Sequence, residues 1–253
     1  HQIDITDDGK IYATTQEISD ISDRLPSTFR KKNVLQDSIL IISPEGKVLK
    51  RISVTEIIAH SRFASLLEKR LNTSAIVTGT GRRDVTHINS IMVLSEDMAK
   101  NFPMFAAGDM LVSLRNLGLI AVIDGQTNAI KWGTRGAWRG QHDARFESDG
   151  TIILFDNHGT DKTQSSILKY DIRSGTAQVL FMGNPKFPFY NYFRGMNRRL
   201  PNNNLLITDS DKGRLLEINM NGNIAWEYKT PFISRRGNTV TINSAKRYAV
   251  DDL

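Results

Sequence analysis

Three histidines stand at the start of repeated segments, and imidazole is the side chain best suited to chemistry near neutral pH. The chain has five histidines and no cysteine, which excludes thiolate catalysis and cysteine-based zinc sites. His142 lies eight residues before Gly150, and His1 lies eight residues before Gly9. His87 precedes a run of similar character, INSIMVL. Histidine at the same point of three repeats indicates one shared position in the fold.

These histidines have polar neighbours that suit an anion-binding or group-transfer site. Asp84 precedes His87 by three residues and could orient its imidazole, and Asn89 follows closely. Arg145 follows His142 by three residues and could bind an anion. A neutral imidazole can act as a nucleophile or a general base, and three imidazoles could also hold zinc. The alternative is structural, because polar residues at strand ends often satisfy buried backbone groups.

The fourth repeat departs from this pattern. Gly195, eight residues before Asn203, stands where the other repeats have histidine. His158 lies in FDNHGTDK, nearer the middle of its repeat, and we interpret it as structural. No metal site is predicted. The predicted catalytic residues are His142 and His87, and the predicted substrate-binding residues are His1, Asn89, Arg145 and Arg194.

The elements that must position these side chains are four copies of a strand–turn–strand segment. The copies read SILIISPEGKVLKRI from Ser38, LIAVIDGQTNAIKW from Leu119, SILKYDIRSGTAQVLF from Ser166 and RLLEINMNGNIAWEY from Arg214. Each turn carries a residue that tolerates positive φ, and the last two intervals between these residues are both 47 positions, the length of a propeller blade. The turn residues are Gly46, Asn128, Gly175 and Gly222.

A second set of segments precedes these copies and supplies the remaining strands. They read DDGKIYATT from Asp7, AGDMLVSLR from Ala107, SDGTIILFDN from Ser148 and PNNNLLITDS from Pro201. Four strands per repeat predict an all-β fold, a β-propeller with four-stranded blades. The repeats cover about 1–50, 87–134, 142–182 and 195–230, in a single propeller domain over 1–253.

Rotation about a propeller axis relates equivalent points of its blades. We therefore expect His87 and His142 to reach one central cavity, and further blades to precede His1. One insertion interrupts the repeats. Ser53 and Glu56 have the spacing of a capping box, and apolar residues follow at helical intervals, so a helix is predicted over about 53–72.

The net charge of +6 limits the classes of partner. A basic surface suits nucleic acid, a membrane surface or small anions. The sequence has no recognisable nucleic-acid-binding module, so nucleic acid is not a predicted partner. No apolar run approaches the ~20 residues of a membrane helix, and no membrane contact is predicted for this segment.

Together, these segments resemble the aryl-sulfate sulfotransferase family. The resemblance rests on DVTHINSI, RNLGLIAVID, GQHDARFESDGTIILFDN, ILKYDIRSG and RRLPNNNLLITDSDKGRLLEIN, and TDDGKIYA and INSAKRYAVDDL extend it towards both ends. It implies a six-bladed propeller, located in the periplasm, secreted, or anchored to a membrane outside the cytoplasm. It also implies transfer of a sulfuryl group from an aryl sulfate to a phenol through a histidine, without a nucleotide donor or another cofactor.

Two active-site histidines of the family match this chain, His87 in DVTHINS and His142 in GQHDA. The family's sulfuryl-accepting histidine aligns with the segment 184–197, which reads NPKFPFYNYFRGMN and has none. Ser166 stands where the family tends to have arginine. His142 is therefore the first choice for the nucleophile. The alternatives are a degenerate propeller that binds an anionic or aromatic molecule, and a non-enzymatic interaction scaffold.

Overall fold

The computed structural model describes residues 2–17, 25–27, 34–73, 76–77, 83–159 and 162–248. These residues form four four-stranded sheets, the blades of a β-propeller, which confirms the predicted fold class. The first blade contains β1 (Ile3–Ile5), β2 (Ile11–Glu17), β3 (Gln36–Ile42) and β4 (Val48–Ser53) in that order. Two helices follow, α1 (Val54–Ala59) and α2 (Ala64–Asn72), and then a short ribbon of β5 (Ile76–Val77) and β6 (Arg83–Asp84).

The other three blades follow the same order of strands along the chain. The second has β7 (Ile88–Val93), β8 (Met110–Leu114), β9 (Leu119–Ile123) and β10 (Ile130–Arg135), with α3 (Glu96–Ala99) between β7 and β8. The third has β11 (His142–Phe146), β12 (Thr151–Asp156), β13 (Ser166–Asp171) and β14 (Thr176–Met182). The fourth has β15 (Met196–Arg199), β16 (Leu205–Asp209), β17 (Arg214–Ile218) and β18 (Ile224–Lys229).

The chain divides into two compact units. Unit 1 comprises residues up to 136 together with 144–150, and unit 2 comprises 137–143 together with the chain from 151 onward. The boundary therefore falls within β11. None of the helices in the described ranges is long and apolar enough to cross a membrane.

The core of unit 1 joins the insertion to the first two blades. The largest fully buried side chains include Ile58 of α1, Leu67 of α2 and Met110 of β8. They belong to one apolar cluster that also contains residues of β3, β7 and β9. The insertion is thus packed on the blades because its apolar stripe removes a large hydrophobic area from water.

The predicted helix over 53–72 is two helices. Ser53 caps α1 by accepting a hydrogen bond from the amide of Glu56 at 3.2 Å, as the capping pattern predicts. The helix then breaks because the hydroxyl of Ser61 donates to the carbonyl of Ile58 at 2.9 Å and accepts from the amide of Phe63 at 3.1 Å. A serine that bonds the local backbone in this way competes with continuation of the helix.

The core of unit 2 lies among the strands of the third and fourth blades. The ring of Phe189 packs against those of Phe155 and Phe181, with centroid distances of 5.3 Å and 5.2 Å. They join apolar residues of β16 and β17 in one buried cluster. Aromatic packing of this kind adds to area burial because the rings meet at tilted angles.

Within each unit, polar side chains on the first strand of a blade accept hydrogen bonds from backbone amides of another blade. In unit 1, Asp4 accepts from the amide of Val93 at 2.8 Å, and Ser90 accepts from the amide of Ala144 at 3.2 Å. In unit 2, Asp143 accepts from the amide of Asn197 at 2.6 Å. These bonds satisfy backbone amides that a sheet edge leaves without a partner strand.

Candidate functional site

His142 begins β11 and is 8% exposed. Its Nδ1 atom lies 2.7 Å from Oδ1 of Asn157 and 3.0 Å from the carbonyl oxygen of Gly140. Both neighbours are acceptors, so Nδ1 carries the hydrogen and donates to them. A neutral imidazole protonated at Nδ1 has its lone pair on Nε2. This tautomer makes Nε2 the basic nitrogen of the His142 ring.

The orientation of Asn157 is itself fixed. Its Nδ2 atom donates to the carbonyl oxygens of Asn191 at 3.1 Å and Arg194 at 2.7 Å. Because an amide nitrogen has only hydrogens to offer, these two carbonyls hold Nδ2 on their side and turn Oδ1 towards His142. The side chain of Asn157 is fully buried, which strengthens the bonds in their low-dielectric setting.

A second buried asparagine supports the loop that holds Asn157. Asn191 Nδ2 donates to Asp209 at 2.7 Å, and its Oδ1 accepts from the amide of Asp211 at 2.8 Å. Asp209 forms an ion pair with Arg214, which also donates to the backbone beneath the loop. Burial raises the pKa of Asp209, while Arg214 opposes that shift. The network connects Asp209 and Arg214 of the fourth blade to the imidazole of His142 through the side chains of Asn191 and Asn157 and the backbone carbonyl of Asn191.

The position of Gly195 explains why the fourth repeat has no histidine there. Its φ is +143°, and a Cβ atom at this residue would lie 2.5 Å from the ring of Phe155. Phe155 is fully buried in the core of unit 2. Any side chain at this point would therefore displace a core residue.

Unit 1 contains a separate histidine network around His87. Nδ1 of His87 lies 2.5 Å from Oδ2 of Asp84, and its side chain is 23% exposed. Gln16 donates to Asp84 and to Asp37, each at 3.2 Å. Asp37 also accepts from the hydroxyl of Thr86 and from the amide of Ile88 at 2.9 Å, so His87 sits at the end of a connected set of polar groups.

Two features of this network are energetically costly. Burial raises the pKa of Asp37 to about 6, although its hydrogen bonds with Thr86 and Ile88 oppose the shift. His87 has a φ of +52°, a backbone conformation that a residue with a Cβ adopts at a cost of about 1–2 kcal/mol. Strain and buried charge of this kind are concentrated at functional sites. They make His87 and Asp84 a candidate pair for proton transfer.

The other predicted residues occupy different surroundings. Asn89 is buried on β7, and Arg145 is half-buried on β11. The guanidinium of Arg194 is exposed and donates to Thr241 at 3.2 Å and Asn243 at 3.1 Å. His1 lies outside the described residues. The expectation that His87 and His142 share one cavity stays a prediction.

Sequence reasoning missed Asn157, Asn191 and Asp37. Asn157 adjoins His158 in FDNHGTDK, the segment in which only the histidine was considered as a candidate. The available signal was an asparagine directly after the apolar strand β12, since a buried amide must find partners for both its donor and its acceptor. His158 is half-buried and lies 3.3 Å from the hydroxyl of Tyr190 through Nδ1.

No group of three His, Cys, Asp or Glu side chains suited to a metal ion occurs among the described residues. One surface groove of about 540 Å³ in unit 1 lies between α1 and the β9–β10 turn. It contains neither His87 nor Asn89. Its lining residues are Glu56, Ile57, His60, Ser61, Arg62, Thr127, Asn128, Ala129 and Ile130.

Comparison with protein families identifies a match over most of the chain. The family model described as arylsulfotransferase (ASST) matches residues 1–231 of the chain. No curated protein matches the sequence significantly.

Solved structures give the fold alone. A selenomethionine-substituted virginiamycin B lyase from Staphylococcus aureus is 13% identical, with a TM-score of 0.51 over 99% of this chain and 60% of that one. A hypothetical selenium-binding protein from Sulfolobus tokodaii is 9% identical, with a TM-score of 0.50 over 86% of this chain and 48% of that one. The chain thus spans less than two thirds of the length of each.

Proposed function

The chain belongs to the arylsulfotransferase (ASST) family, and from this premise we propose that it transfers a sulfuryl group from an aryl sulfate to a phenol, with Nε2 of His142 as the accepting atom. The observation that carries the proposal is the pair of carbonyl oxygens on Nδ1 of His142. They select the tautomer in which Nε2 has a lone pair to give to sulfur.

The reaction takes place in two displacements. Nε2 of His142 attacks the sulfur of the donor, the N–S bond forms, and the S–O bond to the aryl group breaks, so that a phenolate leaves. The oxygen of an acceptor phenol then attacks the same sulfur as the N–S bond breaks. The acceptor's proton passes to a general base, and the imidazole returns to its neutral form. No cofactor or change of oxidation state is required.

The contacts of His142 favour the charged intermediate over the resting state. When Nε2 bonds to sulfur the ring becomes cationic, and its Nδ1–H becomes a stronger donor. Its hydrogen bonds to Asn157 and Gly140 then gain strength, because charge-assisted bonds are roughly twice as strong as neutral ones. Stabilisation that grows during the reaction lowers the barrier rather than only binding the substrate.

We assign proton transfer to His87. Its Nδ1 faces the buried carboxylate of Asp84, which fixes the orientation of the ring. The net charge of +6 suits an anionic donor. The expected partners are therefore an aryl sulfate and a phenol, and the proposed location of the domain is outside the cytoplasm, in the periplasm or secreted.

A second candidate function is binding of an anionic aromatic molecule without turnover. It is favoured by the absence of histidine in the segment 184–197, where the family resemblance places the nucleophile. The ring of Phe155 lies so close to Gly195 that an imidazole has no room at this position. In this case His142 would bind the anion without accepting its sulfuryl group.

Release of 4-nitrophenol from 4-nitrophenyl sulfate, with and without a phenol acceptor, separates the two functions. The proposed transferase gives acceptor-dependent release that His142→Gln abolishes, and His60→Gln, a change of an exposed histidine in the insertion, leaves it intact. Saturable binding of the ester without release would favour the second function. Full release in His142→Gln would refute the assigned nucleophile.

A further inference from the structure

Three consecutive residues of the loop before β15 expose chemically distinctive side chains. Tyr192 is 52% exposed and Phe193 is 60% exposed, and the cationic Arg194 follows them on the surface. Exposed large aromatic side chains that adjoin one another are typical of recognition surfaces. An exposed pair next to a guanidinium matches a ligand that is both aromatic and anionic.

The backbone of this loop is held in place. The amides of Tyr192 and Phe193 both donate to one carboxylate oxygen of Asp211, at 2.7 Å and 3.4 Å. The preceding Asn191 is fully buried, and its backbone amide donates to the hydroxyl of Ser165 at 2.9 Å. The two aromatic side chains are therefore presented by a fixed backbone, so that binding a ligand requires little further ordering.

The aromatic rings also contact one another and His158. The rings of Tyr192 and Phe193 meet edge to face with centroids 4.4 Å apart, and His158 meets Tyr192 edge to face at 5.2 Å. Tyr190 also contacts His158, with its hydroxyl 3.3 Å from Nδ1. We refer to Tyr190, Tyr192, Phe193 and His158 as the aromatic patch.

The aromatic patch and His142 are held by the same side chain. The amide nitrogen of Asn157 bonds the carbonyls of Asn191 and Arg194, which flank Tyr192 and Phe193 in the chain. The amide oxygen of Asn157 bonds His142. One buried asparagine thus sets the position of the patch relative to the proposed nucleophile.

Arg194 supplies positive charge beside the patch. The oxygens that accept from its guanidinium belong to Thr241 and Asn243, and both are uncharged. Uncharged acceptors do not neutralise a guanidinium, and its planar donors suit a sulfate.

We propose that Tyr192 and Phe193 bind the aryl ring of the sulfate ester while Arg194 pairs with its sulfate group. This assignment rests on the proposed function, and it adds the residues that select aromatic over aliphatic esters. Aryl esters gain ring contacts with the patch that alkyl esters lack, so the patch discriminates by the ring and Arg194 by the charge.

Calorimetric titration tests the assignment on the full-length protein carrying His142→Gln, which prevents turnover. The probes are 4-nitrophenyl sulfate and methyl sulfate. Tyr192→Leu and Phe193→Leu are each expected to weaken binding of the aryl ester about 3- to 10-fold, the range for loss of one aromatic contact, and to leave methyl sulfate unchanged. Arg194→Gln weakens both esters. Tyr192→Phe keeps the ring and retains aryl binding.

Tyr228→Leu is the matched control, because Tyr228 is 40% exposed on β18 of the same unit. It is expected to change neither affinity. Three results overturn the assignment: the two leucine variants bind the aryl ester as tightly as the parent does, they lose affinity equally for both esters, or the parent binds neither ester. Aryl-selective losses in a protein whose wild type shows no sulfuryl transfer would uphold the aromatic patch and reject the proposed reaction.

Discussion

The side-chain oxygen of Asn157 lies 2.7 Å from Nδ1 of His142, while its nitrogen is held by two backbone carbonyls. The arrangement fixes the tautomer of a histidine through an uncharged partner. An asparagine cannot take the proton from Nδ1, so the ring keeps its Nδ1–H and its lone pair on Nε2. The reactivity proposed for His142 therefore depends on the orientation of a neighbouring amide.

Replacing Asn157 by alanine is expected to lower kcat about 10- to 100-fold, the usual effect of losing a group that orients a reactive residue. It also leaves the carbonyls of Asn191 and Arg194 without their amide donor, which costs about 1–3 kcal/mol of stability. Imidazole ¹⁵N shifts of His142 report the tautomer and should show a reduced population of the Nδ1–H form, because only the carbonyl of Gly140 then remains to accept from Nδ1. Asn223→Ala, in an exposed turn, is the control, and an unchanged tautomer in Asn157→Ala would count against this role.

Gly195→Ala is expected to destabilise the protein by about 1–3 kcal/mol. The added Cβ meets the ring of Phe155 at 2.5 Å, and the φ of +143° is unfavourable for alanine. Unfolding in urea measures the loss. In the background Phe155→Leu, where the ring is absent, part of the cost of Gly195→Ala should disappear. Additive effects of the two substitutions would show that the ring is not the obstacle.

The raised pKa of Asp37 should make the free energy of unfolding depend on pH. Its pKa is raised from 3.8 to about 6 in the folded protein, mainly by burial, so between these values the folded state binds more protons than the unfolded state. Stability contributed by this carboxyl is therefore full below pH 3.8 and lost as the pH rises to about 6. The loss amounts to up to about 3 kcal/mol.

Urea unfolding at several pH values between 4 and 7 checks this expectation. The free energy of unfolding of the wild type should fall relative to that of Asp37→Asn as the pH rises. Asp97→Asn is the control, because the side chain of Asp97 is 94% exposed. Parallel curves for the wild type and Asp37→Asn would mean that Asp37 does not titrate in this range.

Asp84→Asn tests whether Asp84 and His87 act as one unit. Each single change, Asp84→Asn and His87→Gln, is expected to lower kcat about 10- to 100-fold, because the carboxylate orients the imidazole that transfers the proton. The double variant should be no slower than His87→Gln alone. Multiplied effects on kcat would place Asp84 outside the proton-transfer step.

The blades were predictable because their signals are local. Asn128, for example, has a φ of +60°, as its place in the predicted hairpin turn requires. The break between α1 and α2 was not predictable. It depends on hydrogen bonds of the Ser61 hydroxyl to the local backbone, which the helical spacing of the apolar residues does not reveal. The position of Asn157 directly after an apolar strand marked it as a buried polar residue, but its pairing with His142 was not predictable. Asn157 follows His142 by fifteen residues and meets it only after the chain has passed along β11 and returned along β12.

Mass spectrometry of the protein quenched during turnover tests the central claim most directly. The wild type, mixed with 4-nitrophenyl sulfate in the absence of an acceptor, should carry one sulfuryl group on the peptide that contains His142. The group should disappear on addition of a phenol at the rate at which the sulfated phenol forms. A sulfuryl group on another residue, or acceptor-dependent transfer with His142 never modified, would contradict the account.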